Sequence, residues 1–282
     1  MSEWSDGCVQ GLATEAQAEL WDGIRHFSNC IPVTARDVEQ MRLVTGWNAL
    51  QRHQLALVNH GMTLLYRDTQ RSYSWEVIEL WSHYYALQAE SYQKVLDTTG
   101  TELMFEILKA VPKITEFKTR ISNERLPGCG ATKMYVTFQA RDFMVWARLS
   151  RDQELVAKLR GAIYNVMNRA PVPFRYFEQD FLFSLLPEYV NKGAAAQRLL
   201  GMINGDEVGF HDERLELALC EIQKPSLVMT AGSAFEDVEF MGLGHFMITP
   251  QGSGLARALE QGAQEHLRTD IPVLAAEAAA SS

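Results

Sequence analysis

Apolar residues at helical spacing dominate the first half of the chain. Leu43, Leu50, Leu57 and Leu64 recur every seven residues and predict one long helix over 34–67. The second seam position that a coiled coil requires is not kept apolar. A helix buried in a bundle is therefore favoured over a coiled coil.

Further helical patterns surround this segment. Residues 14–28, 73–98 and 101–111 each place apolar side chains on one face, and Pro112 ends the last of them. Together with the long helix they predict a helical unit joined by short loops.

The middle of the chain changes character at Pro127–Gly130. Alternating apolar and polar residues predict a strand over Lys133–Phe138. Ser150 and Gln153 form a capping-box pattern, which predicts a helix to about Arg169. The aromatic segment 176–186 is interpreted as a helix that docks the two halves of the chain.

The stretch from Asp212 to Leu267 shows a different order of elements. Asp212 is expected to cap a helix that ends before Pro225. Strands are predicted over 226–231 and 238–248, with a polar loop between them. Thr249 and Pro250 then form the start of a closing helix. Helix, two strands and helix is the outline of a winged helix.

The sequence FMITPQGSGLARALE within this stretch resembles the end of the wing and the last helix of winged-helix proteins, including MarR-like and PadR-like regulators. A strand, a threonine, a glycine soon after it and a leucine-rich helix carry the resemblance, which covers only the C-terminal quarter. It implies DNA binding through the helix that precedes the wing. The expected fold class is mainly α (α+β), with an N-terminal helical bundle (1–126), a mixed segment (127–172), a winged-helix-like domain (173–270) and a flexible tail (271–282).

The charge distribution argues against DNA contact through this helix. Residues 171–282 contain 7 Lys+Arg and 16 Asp+Glu, so the whole formal charge of −9 lies there. A helix that reads DNA approaches phosphates and needs cationic or amide side chains. We therefore expect a non-enzymatic regulatory or adaptor protein whose acidic face binds a protein partner. The residues of that face are Asp212, Glu213, Glu216, Glu221, Glu236, Asp237 and Glu239.

A dimeric DNA-binding transcriptional regulator is the first alternative. Arg214, Gln223 and Lys224 are its candidate readers of base edges. A basic cluster in the first half supplies candidate phosphate contacts. Its members are Lys109, Lys113, Lys118, Arg120 and Arg125. A basic surface and an acidic surface on one chain also favour head-to-tail homo-oligomers.

A metal-dependent enzyme in the helical half is the second alternative. His53 and His60 lie on the long predicted helix, and Glu79, His83 and Glu90 lie on the next. Antiparallel packing of the two would bring these side chains together around iron or manganese. Sites of that kind use Glu-x-x-His, and the Glu79–His83 spacing is one residue longer. The leading expectation is therefore no metal and no cofactor.

Other classes of protein have no sequence support. The chain contains no P-loop, dinucleotide-binding glycine motif, HExxH or GxSxG sequence. Its four cysteines are scattered without a CxxC pair. Neither a secretory signal nor a membrane-spanning stretch is evident. We expect a soluble cytoplasmic protein that does not enter a membrane.

Overall fold

The computed structural model describes most of the chain between Asn29 and Pro250. The described residues are 3–5, 8–10, 23, 28–42, 52–72, 74–110, 117–126, 130–140, 151–179, 182–207, 211–222, 224–232, 237–250, 253, 255–256 and 273–276. Within them, no helix is both long enough and apolar enough to cross a bilayer.

Strands and helices alternate along the chain. The strands are β1 (Glu3–Ser5), β2 (Cys8–Gln10), β3 (His53–Val58), β4 (Thr63–Asp68), β5 (Glu76–Val77), β6 (Phe117–Leu126), β7 (Gly130–Ala140), β8 (Phe174–Gln179), β9 (Leu182–Pro187), β10 (Met229–Ala231), β11 (Phe246–Pro250) and β12 (Val273–Ala276). The α-helices are α1 (Val38–Arg42), α2 (Glu79–Ala89), α3 (Gln93–Ala110), α4 (Gln153–Arg169), α5 (Lys192–Asn204), α6 (Glu213–Glu221) and α7 (Val238–Met241).

The chain divides into two compact units. Unit 1 combines residues 1–82 with residues 191–282, and unit 2 is the intervening stretch 83–190. Unit 1 is therefore built from two separate parts of the sequence.

An antiparallel sheet, β3-β4-β5, forms one part of unit 1. Strands β3 and β4 occupy the second half of the predicted long helix, so that prediction is wrong. Leu57 and Leu64 lie opposite each other across the hairpin rather than two turns apart on a helix. Every described residue from Gln54 to Asp68 is buried, so the apolar run carries no alternation to distinguish a strand from a buried helix. The turn Asn59–Gly61 divides the run into two segments of strand length.

A parallel sheet, β10-β11-β12, forms a second part of unit 1. The short helix α7 lies between β10 and β11 in the chain, as the crossover of parallel strands requires. Phe240, Met241, Met247 and Leu255 form a buried core on this sheet, and Val33 packs against it. Val33 also makes a parallel bridge with Leu57, so it contacts both parts of unit 1.

This parallel pairing overturns the winged-helix prediction. A wing is an antiparallel hairpin, whereas Met229–Ala231 runs parallel to Phe246–Ile248. The predicted second strand, 238–248, is instead a helix followed by β11. Thr249 and Pro250 end a strand, although Leu255 and Ala256 beyond them are helical. The mainly helical fold class with a C-terminal winged helix is therefore wrong.

Unit 2 places two helices on one face of a four-stranded antiparallel sheet. The strand order is β6-β7-β9-β8. Buried side chains of α3 and α4 pack against Phe138 and Phe183 of the sheet. The aromatic segment 176–186 forms parts of β8 and β9, so its interpretation as a docking helix is wrong. The predicted strand Lys133–Phe138 is confirmed within β7.

Candidate functional site

A buried lysine begins helix α5. Asn191 caps the helix, because its side chain accepts a hydrogen bond from the backbone N–H of Ala194. The next residue, Lys192, exposes only 2% of its side chain, and its Nζ lies 2.9 Å from Oδ1 of Asp237. Removing an ammonium from water is unfavourable unless a carboxylate compensates it, and Asp237 is that carboxylate.

Asp237 lies close to the carboxyl end of a parallel strand. It immediately precedes α7, and Gly232 is the first residue after β10. A Cβ atom placed on Gly232 would lie 2.7 Å from the Cβ of Asp237. The glycine therefore lets the strand end approach the carboxylate. In open sheets with parallel strands, ligands bind outside these carboxyl ends.

A second carboxylate contacts the same lysine through its backbone. Oε2 of Glu239 accepts the backbone N–H of Lys192 at 2.9 Å. Gly193 permits this approach, since a Cβ atom there would lie closer than 3.0 Å to the carbonyl group of Glu239. The start of α7 thus contacts both the side chain and the backbone of Lys192.

The turn Asn59–Gly61 approaches α5 from the antiparallel sheet. Asn59, His60 and Gly61 have φ angles of 53°, 54° and 89°, the left-handed region that residues other than glycine rarely adopt. A Cβ atom on Gly61 would lie 3.4 Å from the carbonyl oxygen of Asn191 and still closer to Cβ of Ala195. The turn therefore lies against the first turn of α5.

Thr34 and Arg36, which follow Val33 in the chain, hold the turn Asn59–Gly61 through backbone hydrogen bonds. The backbone N–H of His60 donates to the carbonyl oxygen of Thr34 at 3.1 Å, and that of Asn59 donates to Arg36 at 2.7 Å. Asn59 is fully buried, and its Nδ2 donates to the hydroxyl of Thr63 at 3.2 Å. Among the described residues, its Oδ1 has no hydrogen-bond partner. The left-handed backbone of the turn is strained, and backbone strain concentrates at functional sites.

The arrangement suits recognition of an anionic group. Lys192 supplies an ammonium, a side chain that binds phosphate as a point charge. Asp237 holds that ammonium at the strand end, and the strained turn contacts the helix from which it projects. We define these elements, Asn59–Gly61, Asn191–Gly193, Gly232 and Asp237, as the strand-end site.

The acidic residues predicted to form one partner-binding face have separate structural roles. Asp212 caps α6, as predicted, and also pairs with Arg214 at 2.8 Å. Glu221 accepts the backbone N–H groups of Arg52 and His53 at 2.8 and 2.6 Å. Asp237 and Glu239 contact Lys192, Glu213 and Glu216 lie exposed in the first turn of α6, and Glu236 lies outside the described residues.

The basic candidates are also distributed over both units. Arg214 is engaged by Asp212 and lies 3.5 Å from Glu76, and Lys224 donates to the carbonyl oxygen of Asn204 at 3.3 Å. Lys109 pairs with Glu106 at 3.0 Å on α3. Lys118, Arg120 and Arg125 lie on β6, whereas Lys113 and Gln223 lie outside the described residues. As predicted readers or phosphate contacts, these residues remain untested.

The metal-ligand candidates do not lie on two paired helices. His53 belongs to β3, where its Nδ1 is 2.7 Å from the hydroxyl of Tyr66, and His60 belongs to the left-handed turn. Glu79 and His83 lie on α2, and Glu90 follows it in a short 3₁₀ turn. In the described part of the chain, no group of three His, Cys, Asp or Glu side chains is arranged to hold a metal ion.

The Asp68 carboxylate next to His53 predicts a specific loss of stability in acid. Arg52 donates to both of its oxygens at 3.1 Å, and this interaction lowers the pKa of Asp68 to about 2. Because the unfolded pKa is about 3.9, the stabilisation is complete above that pH and disappears as the pH falls towards 2. Lowering the pH from about 4.5 to about 2 should reduce the urea midpoint of the unmodified protein. We expect a smaller reduction for Arg52→Met, which lacks this interaction from the start.

The control for this experiment is Arg42→Met, which removes an arginine from an exposed pair with Glu39. Its urea midpoint should follow the unmodified protein through the same pH range, because exposed pairs contribute little. Equal acid sensitivity of all three proteins would contradict the assignment to Asp68.

Comparison with known proteins supplies no family. No family model matches the chain, and no curated protein matches it. Among solved structures it is similar to the C-terminal domain of Candida albicans trehalose-6-phosphate phosphatase, with a TM-score of 0.46, 14% identity, and coverage of 82% of this chain and 65% of that one. It is also similar to an N-terminally truncated Plasmodium falciparum IMP-nucleotidase, with a TM-score of 0.47, 10% identity, and coverage of 95% and 63%.

A third similar structure is an Aspergillus fumigatus trehalose-6-phosphate phosphatase, with a TM-score of 0.39, 14% identity, and coverage of 100% of this chain and 80% of that one. The chain thus spans less than two thirds of the Candida and Plasmodium chains. The resemblance to MarR-like and PadR-like proteins is wrong, because the two strands assigned to the wing pair parallel. At TM-scores below 0.5, they do not establish what this chain binds.

The sequence prediction named His60 and Asp237 of the strand-end site as candidates and missed its other residues, among them Lys192 and Asn59. Asn191-Lys192-Gly193 carried a signal, since a capping residue precedes a lysine and a glycine at the start of a helix. Asn59-His60-Gly61 carried another, because asparagine and glycine together favour positive φ. Both signals were obscured by the long-helix and winged-helix interpretations.

Proposed function

We propose that this protein is an enzyme that acts on the phosphate ester of a small molecule, with the phosphoryl group bound at the strand-end site. The observation that carries the proposal is the buried pair of Lys192 and Asp237 beside the carboxyl end of β10. The adaptor function based on an acidic winged helix is not retained, because β10 and β11 pair parallel and do not form a wing.

Three physical arguments support this function. A buried ion pair is often no more stabilising than apolar packing, so its presence favours a functional reason. Strained turns cluster at active sites, and the turn Asn59–Gly61 contacts the helix that bears Lys192. Finally, stabilising charge on the transferring oxygens is the main contribution a protein makes to phosphoryl transfer.

The reaction that follows is phosphomonoester hydrolysis. A water oxygen bonds to phosphorus, the ester P–O bond breaks, and the alcohol leaves with a proton. The Lys192 ammonium stabilises the negative charge on the phosphoryl oxygens.

The charge balance of the strand-end site bears on the assay. Asp237 and Glu239 place two carboxylates against the single ammonium of Lys192, so further positive charge would favour a phosphate dianion. A divalent cation is one source of it, but the described residues lack a group that would hold one. The assay therefore compares reactions with and without magnesium, which also tests the metal-dependent alternative without relying on its helical ligands.

Substitution of Lys192 tests the proposal. We expect Lys192→Met to weaken binding of inorganic phosphate by at least about tenfold, the loss expected for one charge-assisted contact, and to abolish release of phosphate from esters. Calorimetry measures the binding, and a panel of p-nitrophenyl phosphate, trehalose 6-phosphate and IMP measures the release.

The matched control is Lys224→Met, because Lys224 is an exposed lysine of the same unit. It should leave both measurements unchanged. Equal phosphate affinity in the unmodified and Lys192→Met proteins, or no phosphate released from any ester, would contradict the proposed function.

Location and assembly remain proposals as well. Scattered cysteines without a disulfide framework support a cytoplasmic location. A protein partner and a homo-oligomer stay predictions that native mass measurement would test.

A further inference from the structure

We propose that Glu239 is a positioning residue that holds Lys192 in place, rather than a residue that contacts the ligand. The expected effect of Glu239 on phosphate binding rests on the proposed function. The start of α7 contacts Lys192 twice, since Asp237 accepts from Nζ and Glu239 accepts from the backbone N–H, both at 2.9 Å.

The backbone geometry makes Glu239 suited to this role. The first N–H groups of an α-helix have no acceptor within the helix, and Lys192 is the first residue of α5. A carboxylate is the favourable partner there, because the N-terminal end of a helix carries partial positive charge. Contact between Gly193 and the carbonyl group of Glu239 fixes the two helix starts at close range.

The same contact determines which group of Lys192 is available to a phosphate. Helix N-termini commonly bind anions through backbone N–H groups. Here Glu239 already accepts the N–H of Lys192, so this N–H is engaged within the protein. The proposed function assigns recognition of the ligand to the ammonium, and Glu239 acts through the position that it gives to that side chain.

Chemical labelling of lysine tests the positioning role without any ligand. The folded protein is treated briefly with acetic anhydride, and the modified fraction of each lysine is measured by mass spectrometry. In the unmodified protein we expect slow labelling of Lys192, which is 2% exposed, and fast labelling of the exposed Lys224. Glu239→Ala should label Lys192 at least about tenfold faster, as the loss of one charge-assisted hydrogen bond implies.

Two further variants separate positioning from general loss of structure. Glu239→Gln keeps an acceptor oxygen of the same reach, so labelling of Lys192 should stay within about threefold of the unmodified rate. Glu239→Asp shortens the side chain while keeping its charge, and should label Lys192 quickly even if Glu239→Ala fails to fold. Glu216→Ala removes an exposed carboxylate of the same unit and should change nothing.

Phosphate affinity is the second measurement. We expect Glu239→Ala to bind inorganic phosphate at least about tenfold more weakly and Glu239→Gln to restore the affinity. Unchanged labelling of Lys192 in both Glu239→Ala and Glu239→Asp overturns the positioning role, as does failure of Glu239→Gln to protect it. Protection by Glu239→Gln together with equal phosphate affinity in the unmodified and Lys192→Met proteins supports positioning and overturns only the proposed function.

Discussion

Replacement of Asp237 by alanine should lower the free energy of unfolding by about 3–5 kcal/mol, the loss expected when one member of a buried ion pair is removed. The side chain of Lys192 is 2% exposed, and its Nζ lies 2.9 Å from Oδ1 of Asp237, so the interaction is shielded from water. Urea unfolding at neutral pH measures the change.

The double variant Asp237→Ala with Lys192→Met shows whether the uncompensated charge is the cause. Since it removes both ions, it should be more stable than Asp237→Ala alone, and the two single changes should not add. Glu154→Ala is the matched control, because Glu154 pairs with Lys158 in an exposed site on α4. It should cost at most about 0.5 kcal/mol. A loss below about 1 kcal/mol for Asp237→Ala would contradict the interpretation.

Gly61→Ala should be the second most damaging change, with an expected loss of about 2–5 kcal/mol. Two effects combine at this position. A residue with a Cβ atom pays roughly 1–2 kcal/mol for the left-handed conformation, and Gly61 has a φ of 89°. The new methyl group would also collide with Ala195 on α5, and overpacking of this kind costs about 1–3 kcal/mol.

Gly205 provides the control that separates these effects. It has a φ of 76° at the end of α5, and in the described part of the chain no atom outside the helix lies within 4 Å of the Cβ position. Gly205→Ala should therefore cost only the conformational part, about 1–2 kcal/mol. Equal losses for the two variants in urea unfolding would show that the contact between the turn and α5 contributes nothing.

The sequence predicted local features well where one residue type determines the geometry. Asp212 caps α6 with its carboxylate, as predicted. This feature depends on neighbours a few residues away, which a sequence displays directly. The predicted helix to about Arg169 is also confirmed, since α4 ends at that residue, although its cap is Asp152.

The larger assignments failed because they depend on distant parts of the chain. Leu57 and Leu64 fit a helical period and a hairpin register equally well, and the pairing partner decides between them. The strands β10 and β11 are short, and nothing in 226–250 specifies whether they pair parallel or antiparallel. The helix α7 between them was read as a strand, which produced the wing.

The strand-end site was missed for the same reason. Lys192 and Asp237 are 45 residues apart in sequence, and no short motif connects them. Asp237 was grouped with nearby acidic residues, although its partner lies at the start of another helix. Lys192 could be assigned to the site only once its burial was known.

The division of unit 1 between two stretches of chain has a consequence for how a nascent polypeptide acquires its fold. Residues 83–190 form one uninterrupted unit, and during synthesis all of them leave the ribosome before Lys192 and Asp237. Domains tend to fold as units in the order of their synthesis. Unit 2 can therefore complete its core while the early strands β3 and β4 still await α5. Their apolar surface is exposed until the C-terminal stretch arrives, so the interval between the synthesis of β4 and that of α5 carries a risk of aggregation.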